Sequence, residues 1–513
     1  MWSLACMLLQ STAAMAVTAK SPTPNFGLRS VTPQAHSVAL VALGCPKNTV
    51  DAEVMLGDLQ RSGLRVISDP SKADVVIVNT CAFVDDAKSE SISAIIEAAQ
   101  LKAERSSPVR GLFVTGCMAQ RYSDDLATEL PEVDAVVGFE HYSDLPQQVH
   151  ALLARGADEE VAPAQVFVGS ASVPFRSEET RVRLTASHTA YLRVAEGCDH
   201  ACTFCAIPGF RGKFRSKPFN IALAEATRLV ESGVREINLI AEDTNQYGSD
   251  WGEQDGRRLA DFLHALAELP GLRWIRLLYC YPSYFSPELV DAIAGIDKVV
   301  KYIDIPLQHL SPTVLQRMRR PPASNTLSLL RKLRERVPSL TLRTTFISGF
   351  PGETAEEHAE LMERVRELQF ERGGAFAYSQ EEGTPAATMP DQVDADVKEA
   401  RRDELIASFQ EYAEAWATAQ VGRELRVLVD KIEGEDAIAR TEADAPDIDG
   451  SCRLMGCAHL APGTELLATV IAADVMELVA IPSTSEKAIA HFSAPPPVQE
   501  QACDHDHNHD HDH

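Results

Sequence analysis

Short apolar runs alternate with amphipathic segments along most of this chain. In its first part, continuous apolar runs at 37–43, 74–78 and 109–115 are each followed by residues with helical spacing of the apolar positions. Continuous apolar runs, unlike alternating ones, indicate strands that are buried on both faces of a sheet. The pattern therefore predicts an α/β domain with a parallel sheet, beginning near residue 36.

A longer series of the same kind occupies the middle of the chain. Helical segments separate six strand candidates, which are predicted at 190–195, 236–241, 273–279, 301–306, 341–347 and 373–378. Helices at about 395–419 are followed by shorter segments with alternating apolar residues, such as 425–429 and 465–470. The pattern thus predicts a second, larger α/β domain and then a small β-barrel.

These patterns divide the 513 residues into six segments. The predicted segments are an extension (1–35), an amino-terminal domain (36–150), a linker rich in Ala, Gly and Pro (151–187), a central domain (188–420), a small barrel (421–484) and an unordered tail rich in His and Asp (485–513). The extension is either unordered or an organelle-targeting peptide. We therefore expect the protein in the cytoplasm, or in a plastid or mitochondrion if the extension is a targeting peptide.

Charge and hydropathy narrow the choice of partners. No stretch is long, apolar and uncharged enough to span a membrane, so no membrane association is expected. The formal net charge is −26, and residues 421–484 alone contain five basic and twelve acidic residues, which gives −7. Because contact with phosphate requires clustered Lys and Arg, we expect a basic protein partner rather than RNA.

Three cysteines, Cys198, Cys202 and Cys205, lie in a loop that follows the first strand of the central series. Cysteine thiolates hold iron–sulfur clusters, and three of them leave one iron of a four-iron cluster free to bind a substrate or cofactor. A structural zinc site would need four ligands, and His200 has no paired Cys-x-x-Cys elsewhere to complete one. The spacing therefore favours a cluster with an open iron.

Each of the three amino-terminal strands also ends in a cysteine, namely Cys45, Cys81 and Cys117. Ligands of open parallel sheets bind beyond the carboxyl ends of the strands, so we expect these three thiols to converge. Three converging thiolates would hold a second iron–sulfur cluster. The alternative is three unrelated buried thiols, since free cysteine is among the most buried residue types.

The spacing Cys-x-x-x-Cys-x-x-Cys, with Phe204 before the third cysteine, resembles the signature of the radical S-adenosylmethionine enzymes. The stretches around the other three cysteines, at 43–48, 78–83 and 115–120, resemble the amino-terminal domain of the methylthiotransferase family within that superfamily. The resemblance covers about residues 36–484. It implies a central partial (β/α)6 barrel, a TRAM domain as the small barrel, and two [4Fe–4S] clusters with S-adenosylmethionine as cofactors.

The resemblance also implies a reaction, the transfer of a methylthio group. The sequences at 45–48, 212–218 and 379–385 resemble the branch of the family that modifies the β-carbon of an aspartate in small-subunit ribosomal protein twelve. The alternatives are modification of adenosine in transfer RNA and, more remotely, a non-enzymatic iron–sulfur electron carrier. An electron donor such as flavodoxin or ferredoxin is implied as a partner, and we expect a monomer.

For S-adenosylmethionine, the superfamily implies contacts from Phe204 and from three residues at or near strand ends, Glu242, Arg343 and Gly349. All six cysteines are expected to be catalytic. A basic strip at 211–217 covers the cofactor carboxylate, contacts an acidic substrate, or is simply solvated; the sequence leaves these alternatives open.

Overall fold

The computed structural model describes residues 36–155, 163–170, 172, 175, 181–252 and 255–483. The extension expected at 1–35 and the tail at 485–513 lie outside the described residues. Among the helices that are described, none is both long and apolar enough to cross a bilayer.

The first unit is a parallel sheet of six strands with helices around it. The strands are β1 (Ser37–Ala42), β2 (Arg65–Val66), β3 (Val75–Thr80), β4 (Gly111–Thr115), β5 (Ala135–Val137) and β6 (Gln165–Phe167). The helices are α1 (Pro46–Arg61), α2 (Asp85–Ala103), α3 (Gly116–Arg121), α4 (Ser123–Glu129) and α5 (Leu145–Leu153). Across the sheet the order is β2-β1-β3-β4-β5-β6, so the order reverses between β1 and β3. The predicted parallel-sheet fold is confirmed.

The segment at 151–187, which we expected to be only a linker, contributes to this sheet. Strand β6 pairs in parallel with β5, with Val166 opposite Val136, and α5 continues to Leu153. A strand of three residues is too short to show a hydrophobic period, and Val166 is exposed at the sheet edge. Periodicity therefore could not reveal β6.

The central unit is an open, fully parallel sheet of six strands in chain order. Its strands are β7 (Thr189–Arg193), β10 (Glu236–Ile240), β11 (Trp274–Leu277), β12 (Val299–Asp304), β13 (Thr341–Ser348) and β14 (Arg372–Ala377), and a small antiparallel pair is formed by β8 (Ala195–Glu196) and β9 (Arg215–Ser216). The helices are α6 (Ile207–Arg211), α7 (Phe219–Glu231), α8 (Leu259–Ala267), α9 (Pro287–Gly295), α10 (Pro312–Arg317), α11 (Ala323–Arg336), α12 (Ala355–Leu368) and α13 (Ala395–Gln420). The predicted six βα units are confirmed, and they form a partial barrel.

The two faces of the central sheet bury different partners. Alternate residues such as Leu192 and Ile237 pack against the surrounding helices in the main core. On the inner face, Tyr191 and Tyr302 pack with Val50 of α1 and Leu428 of the carboxy-terminal unit. Because side chains alternate across a strand, the inner face of the open barrel would be exposed without these two neighbours. Helix α1 therefore covers part of the open barrel.

The carboxy-terminal unit is a closed five-stranded barrel, which confirms the predicted small β-barrel. Its strands are β15 (Glu424–Glu433), β16 (Asp436–Thr441), β17 (Ser451–Leu454), β18 (Glu465–Ala473) and β19 (Glu477–Pro482). Residues that alternate along these strands, such as Val427 and Val429, fill its core. Closure pairs every strand on both sides, so the barrel has no free edge.

Polar contacts between the small barrel and the central unit use many of the barrel's acidic residues. Four such contacts join Asp430 to His188 (2.8 Å), Asp444 to Arg372 (2.6 Å), Asp449 to the Tyr302 hydroxyl (2.7 Å) and Glu465 to the Trp274 indole N–H (2.9 Å). In the opposite sense, Arg440 of the barrel pairs with the buried Glu236 at 2.6 Å. The formal charge of −7 therefore overstates the charge that this unit offers to a partner.

Candidate active site

The loop with Cys198, Cys202 and Cys205 lies between β8 and α6. Backbone bonds hold it in place, from Cys198 N–H to Gly212 O (3.1 Å) and from Cys205 N–H to Cys202 O (3.2 Å). Thr203 ties the loop to the turn after α10, because its N–H and its hydroxyl both donate to backbone carbonyls there. The loop is thus fixed at the carboxyl end of the partial barrel, where barrel enzymes carry their chemistry.

The three thiols of this loop influence one another. Burial, with a smaller contribution from the charge of Cys202, raises the pKa of Cys198 and of Cys205 to about 12. Such thiols stay protonated at neutral pH unless a cation compensates the charge of the thiolate. Iron provides that compensation, because metal binding releases the thiol protons. The donor set therefore fits an iron–sulfur cluster.

The structure also brings the amino-terminal cysteines together at the ends of β1, β3 and β4. Burial raises the pKa of Cys117 to about 11 and that of Cys81 still higher, and in both cases the nearby Cys45 adds to the effect. The three thiols lie next to the point where the strand order reverses, which is the usual ligand position of such sheets. This arrangement is the convergence that the sequence predicted.

Two glycines allow these strand ends to approach each other. Gly116 has φ of +93°, and a Cβ there would lie 2.3 Å from the carbonyl oxygen of Thr80. Gly44 has φ of +86°, and its Cβ would lie 2.9 Å from Cys81 Sγ. A positive φ favours glycine, and neither position has room for a methyl group. The spacing of the cysteines therefore depends on both glycines.

Arg211 connects the two sets of cysteines. It ends α6, directly after the radical loop, and is only 2% exposed. One of its guanidinium nitrogens, Nη2, donates to Asn48 Oδ1 and Asp51 Oδ2 of α1, each at 2.9 Å, and lies 3.6 Å from Cys117 Sγ. The guanidinium thus links the radical loop to α1 and to the amino-terminal cysteines.

The other residues of the basic strip do not form one surface with Arg211. Lys217 is fully buried and pairs with Glu225 at 2.7 Å, and Arg215 donates to the Ser172 hydroxyl at 2.7 Å. Only Lys213 is exposed. The interpretation of 211–217 as a single strip is therefore wrong, because the backbone turns each side chain into a different environment.

Phe204 and Glu242 lie beside the radical loop. Phe204 packs against an apolar group that includes Met318 and Phe350. Glu242 follows β10, and its charge raises the pKa of Cys205, which places the carboxylate close to that thiol. Its Oε2 atom is buried and accepts no hydrogen bond from any described residue. A buried carboxylate oxygen without a partner fits an ammonium group, and S-adenosylmethionine carries one.

Gly349 and Arg343 are held by other partners. The N–H of Gly349, after β13, donates to Glu353 Oε2 at 2.8 Å. Arg343 pairs with Asp304 at 3.0 Å and lies 3.6 Å from Asp449 of the small barrel. Among the described residues, Arg343 forms no hydrogen bond or ion pair with the radical loop. Both residues remain predicted cofactor contacts.

Sequence reasoning missed the contacts that His200 makes within the site, and it missed Arg320, which reaches the radical loop. His200 Nε2 lies 2.7 Å from Asp243 Oδ2, and its ring stacks on Tyr281 at 3.6 Å between centroids. The guanidinium carbon of Arg320 lies 4.2 Å from the centroid of the Tyr281 ring, and its Nη1 atom lies 3.8 Å from Cys202 Sγ. Arg320 comes from the turn after α10, far along the chain, and no spacing in the sequence links it to the cysteines.

A cleft of about 960 Å³ opens between the amino-terminal sheet and the small barrel. It reaches Gly44 and Pro46, on either side of Cys45, and its opposite wall includes Asp447 and Glu477. This volume is at the upper end of the range for ligand sites. The cleft therefore reaches the backbone on both sides of Cys45.

Neither cysteine set is a site for a single metal ion. Within the described parts of the chain, no three His, Cys, Asp or Glu side chains converge closely enough to hold one ion. Cysteines that bind a cluster are each bonded to a different iron, so they stand further apart than the ligands of a single ion.

Family comparisons match all three units of the fold. Residues 37–138 match "Uncharacterized protein family UPF0004", residues 192–365 match "Radical SAM superfamily", and residues 421–482 match "TRAM domain". The fold and the site thus define a radical S-adenosylmethionine protein with a methylthiotransferase-type amino-terminal domain and a TRAM barrel. Membership of this superfamily implies S-adenosylmethionine and one [4Fe–4S] cluster.

Relatives over most of the chain are named "Ribosomal protein uS12 methylthiotransferase RimO". The protein of Desulforudis audaxviator is 44% identical over 446 residues, which cover 87% of this chain and 96% of that one. The protein of Akkermansia muciniphila is 43% identical over 81% of this chain and 93% of its own, and that of Lachnoclostridium phytofermentans is 42% identical over 86% and 99%. The chain belongs to the RimO family of methylthiotransferases.

Proposed function

We propose that this protein transfers a methylthio group to the β-carbon of an aspartate in ribosomal protein uS12. The observation that carries the proposal is that Arg211, which follows the radical loop, contacts both Asp51 of α1 and Cys117, in a chain whose relatives are named for this reaction. An electron carrier would need one cluster close to the surface and no partial barrel around an open iron. A methylthiotransferase needs both triads to face one reaction space.

We propose that Cys45, Cys81 and Cys117 hold a second [4Fe–4S] cluster, in addition to the superfamily cluster at the radical loop. When bound, the two clusters and S-adenosylmethionine supply the electron, the radical and the methylthio group. The protein's own part is to bind and align these groups. The buried Oε2 atom of Glu242 accepts a hydrogen bond from the ammonium group of the cofactor, and Arg211 fixes the amino-terminal unit against the barrel.

The surrounding residues keep the reaction space free of bulk water. Tyr279 and Tyr281 lie between the two cysteine sets, and Tyr281 and the neighbouring Cys280 are at most 9% exposed. Exclusion of water protects a reactive intermediate from side reactions. The cleft beside Pro46 is then the remaining route by which a protein substrate enters.

For the partner, we propose a basic ribosomal protein that docks on the acidic turn between β15 and β16 of the small barrel. The residues there are Glu433, Glu435 and Asp436, of which Glu433 pairs with Lys431 at 2.6 Å and both Glu433 and Asp436 lie within 4 Å of Arg453. Basic and acidic surfaces attract each other, and this attraction weakens with added salt. A flavodoxin or ferredoxin as the electron donor, a monomeric state and the absence of RNA contact are parts of the same proposal.

The test compares uS12 and transfer RNA from cells that contain or lack this protein, by mass spectrometry. We expect uS12 to gain the mass of one methylthio group on an aspartate only when the protein is present. A parallel titration measures binding of the reconstituted protein to uS12 and to unmodified transfer RNA at increasing salt. Methylthio groups on adenosine, together with tighter binding to transfer RNA, would refute the proposal and establish the transfer RNA alternative.

A further inference from the structure

Lys47, two residues after Cys45, is a buried cation without an anionic partner. The residue is 7% exposed, and among the described residues its ammonium group forms no ion pair. Its one hydrogen bond goes to Ala241 O at 3.3 Å, and it lies 3.4 Å from the centroid of the Tyr279 ring. An ammonium group has three donors, so most of its hydrogen-bonding capacity is unused. A buried charge is costly unless it is paired, which points to a missing anion.

The backbone around Lys47 supports the same conclusion. Helix α1 begins at Pro46 with Cys45 as its N-cap, and no side chain caps this end. The first turn contains no acidic residue. The free N–H groups and the dipole of a helix amino end favour an anion. A carboxylate near the amino end of α1 would therefore be favoured by the helix end as well as by the charge of Lys47.

We propose that Lys47 binds the side-chain carboxylate of the target aspartate and so selects an acidic residue as substrate. This inference rests on the proposed function. The β-carbon of aspartate is bonded directly to the carboxylate carbon, so a cation that holds the carboxylate also holds the reacting carbon one bond away. Lys47 is two residues after Cys45, one of the three cysteines that we propose to hold the cluster from which the sulfur is delivered. The cleft reaches Gly44, Pro46 and Thr49, which lie on either side of Lys47 in the sequence.

S-adenosylmethionine also has a carboxylate, and the ammonium group of Lys47 lies beside Ala241, the residue before Glu242, so the Kd of the cofactor is needed to separate the two carboxylates. The backbone of the lysine belongs to the amino-terminal unit, two residues after Cys45, and this position favours the substrate. An adenosine base of transfer RNA has no carboxylate, so a buried ammonium group would also disfavour that substrate. Lys47 would therefore contribute to specificity within the family reaction.

The test uses the reconstituted holoenzyme, uS12, and uS12 in which asparagine replaces the target aspartate. The variants are Lys47→Met, which removes the charge, Lys47→Arg, which retains it, and Lys72→Met as a matched control. Lys72 is exposed and, among the described residues, its ammonium group pairs only with the nearby Asp69 of the same unit. The measurements are kcat/KM for both substrates, binding of both to the protein by fluorescence anisotropy, and the Kd of S-adenosylmethionine.

Loss of one hydrogen bond to a charged group corresponds to a roughly 10- to 100-fold change in binding affinity. We expect Lys47→Met to bind uS12 more weakly by this factor and to lose the preference for aspartate over asparagine. Lys47→Arg should keep part of the preference, and Lys72→Met should behave like the wild type. An unchanged preference in Lys47→Met would overturn the inference, and so would weaker binding of S-adenosylmethionine with unchanged binding of uS12. A wild-type protein that does not modify uS12 would instead refute the proposed function.

Discussion

The glycine before Cys117 offers a direct test of how the amino-terminal cysteines are positioned. In Gly116→Ala, the new Cβ would lie 2.3 Å from Thr80 O and 2.6 Å from Thr80 N. Because these are backbone atoms of β3, the clash can be relieved only if the ends of β3 and β4 move apart. Cys81 follows Thr80 directly, so this movement would separate two of the three thiols.

The expected loss of stability in Gly116→Ala has two parts, and a matched control variant separates them. Gly63 has nearly the same φ, +91°, but a Cβ there meets nothing within 4 Å. Gly63→Ala therefore measures the strain of a left-handed backbone alone, about 1–2 kcal/mol. Gly116→Ala adds overpacking of about 1–3 kcal/mol, so it should destabilise the amino-terminal unit by about 2–5 kcal/mol.

The assay measures iron per chain after anaerobic reconstitution and the thermal transition of the cluster-free protein. For Gly116→Ala we expect about half of the wild-type iron, because three of the six cluster cysteines lose their geometry. Gly63→Ala should keep all of its iron and should lower Tm by less than Gly116→Ala does. Equal iron and equal Tm in the two variants would refute this account of the strand ends.

Three further predictions concern the radical loop and the contacts between units. Replacement of any radical-loop cysteine by alanine, at Cys198, Cys202 or Cys205, should abolish deoxyadenosine formation, because each thiolate holds one iron of the cluster. Chromatography measures the deoxyadenosine. Arg211→Lys keeps the charge but loses the planar fork that spans its partners, so methylthio transfer should fall more than deoxyadenosine formation in the same reaction. Arg440→Met leaves the buried Glu236 with fewer partners, at a cost of about 3–5 kcal/mol, and should speed proteolysis near residue 421.

The controls for these variants lie in the same units. Arg61, which is 60% exposed and pairs with Asp58, is the control for Arg211, and its replacement by lysine should change neither yield. Arg453 at the outer edge of the small barrel is the control for Arg440. Continued deoxyadenosine formation without the loop cysteines, equal loss of both yields in Arg211→Lys, or unchanged proteolysis in Arg440→Met would each contradict the corresponding assignment.

The sequence predicted most of the strands, and this prediction depended on the local pattern of apolar residues. Continuous apolar runs predicted β1, β3 and β4 and all six strands of the central sheet, because strands buried on both faces need apolar residues throughout. Strands β2, β5 and β6 have two or three residues each, too few for a pattern to emerge. Their pairing is determined by neighbouring strands rather than by their own composition.

The charge-based predictions needed correction for a different reason. The basic strip at 211–217 and the formal charge of −7 for residues 421–484 were both derived by counting charged residues. A count does not show which charges face one another. In the structure, Arg211 and Lys217 are buried in separate ion pairs, and Asp444 and Glu465 face the central unit. Burial and partner, rather than number, decide what a charge contributes.

The sequence by itself determined the two cysteine triads, their elements and the family, because thiol spacing and strand pattern are local properties of the chain. Only the tertiary structure decided that Arg211 links the radical loop to α1 and to Cys117, and that Lys47 is buried without an anion among the described residues. These relations join residues that are more than 90 positions apart, such as Arg211 with Cys117 and Lys47 with Ala241. They arise because the open barrel must cover its inner face, and no local pattern encodes which segment will cover it.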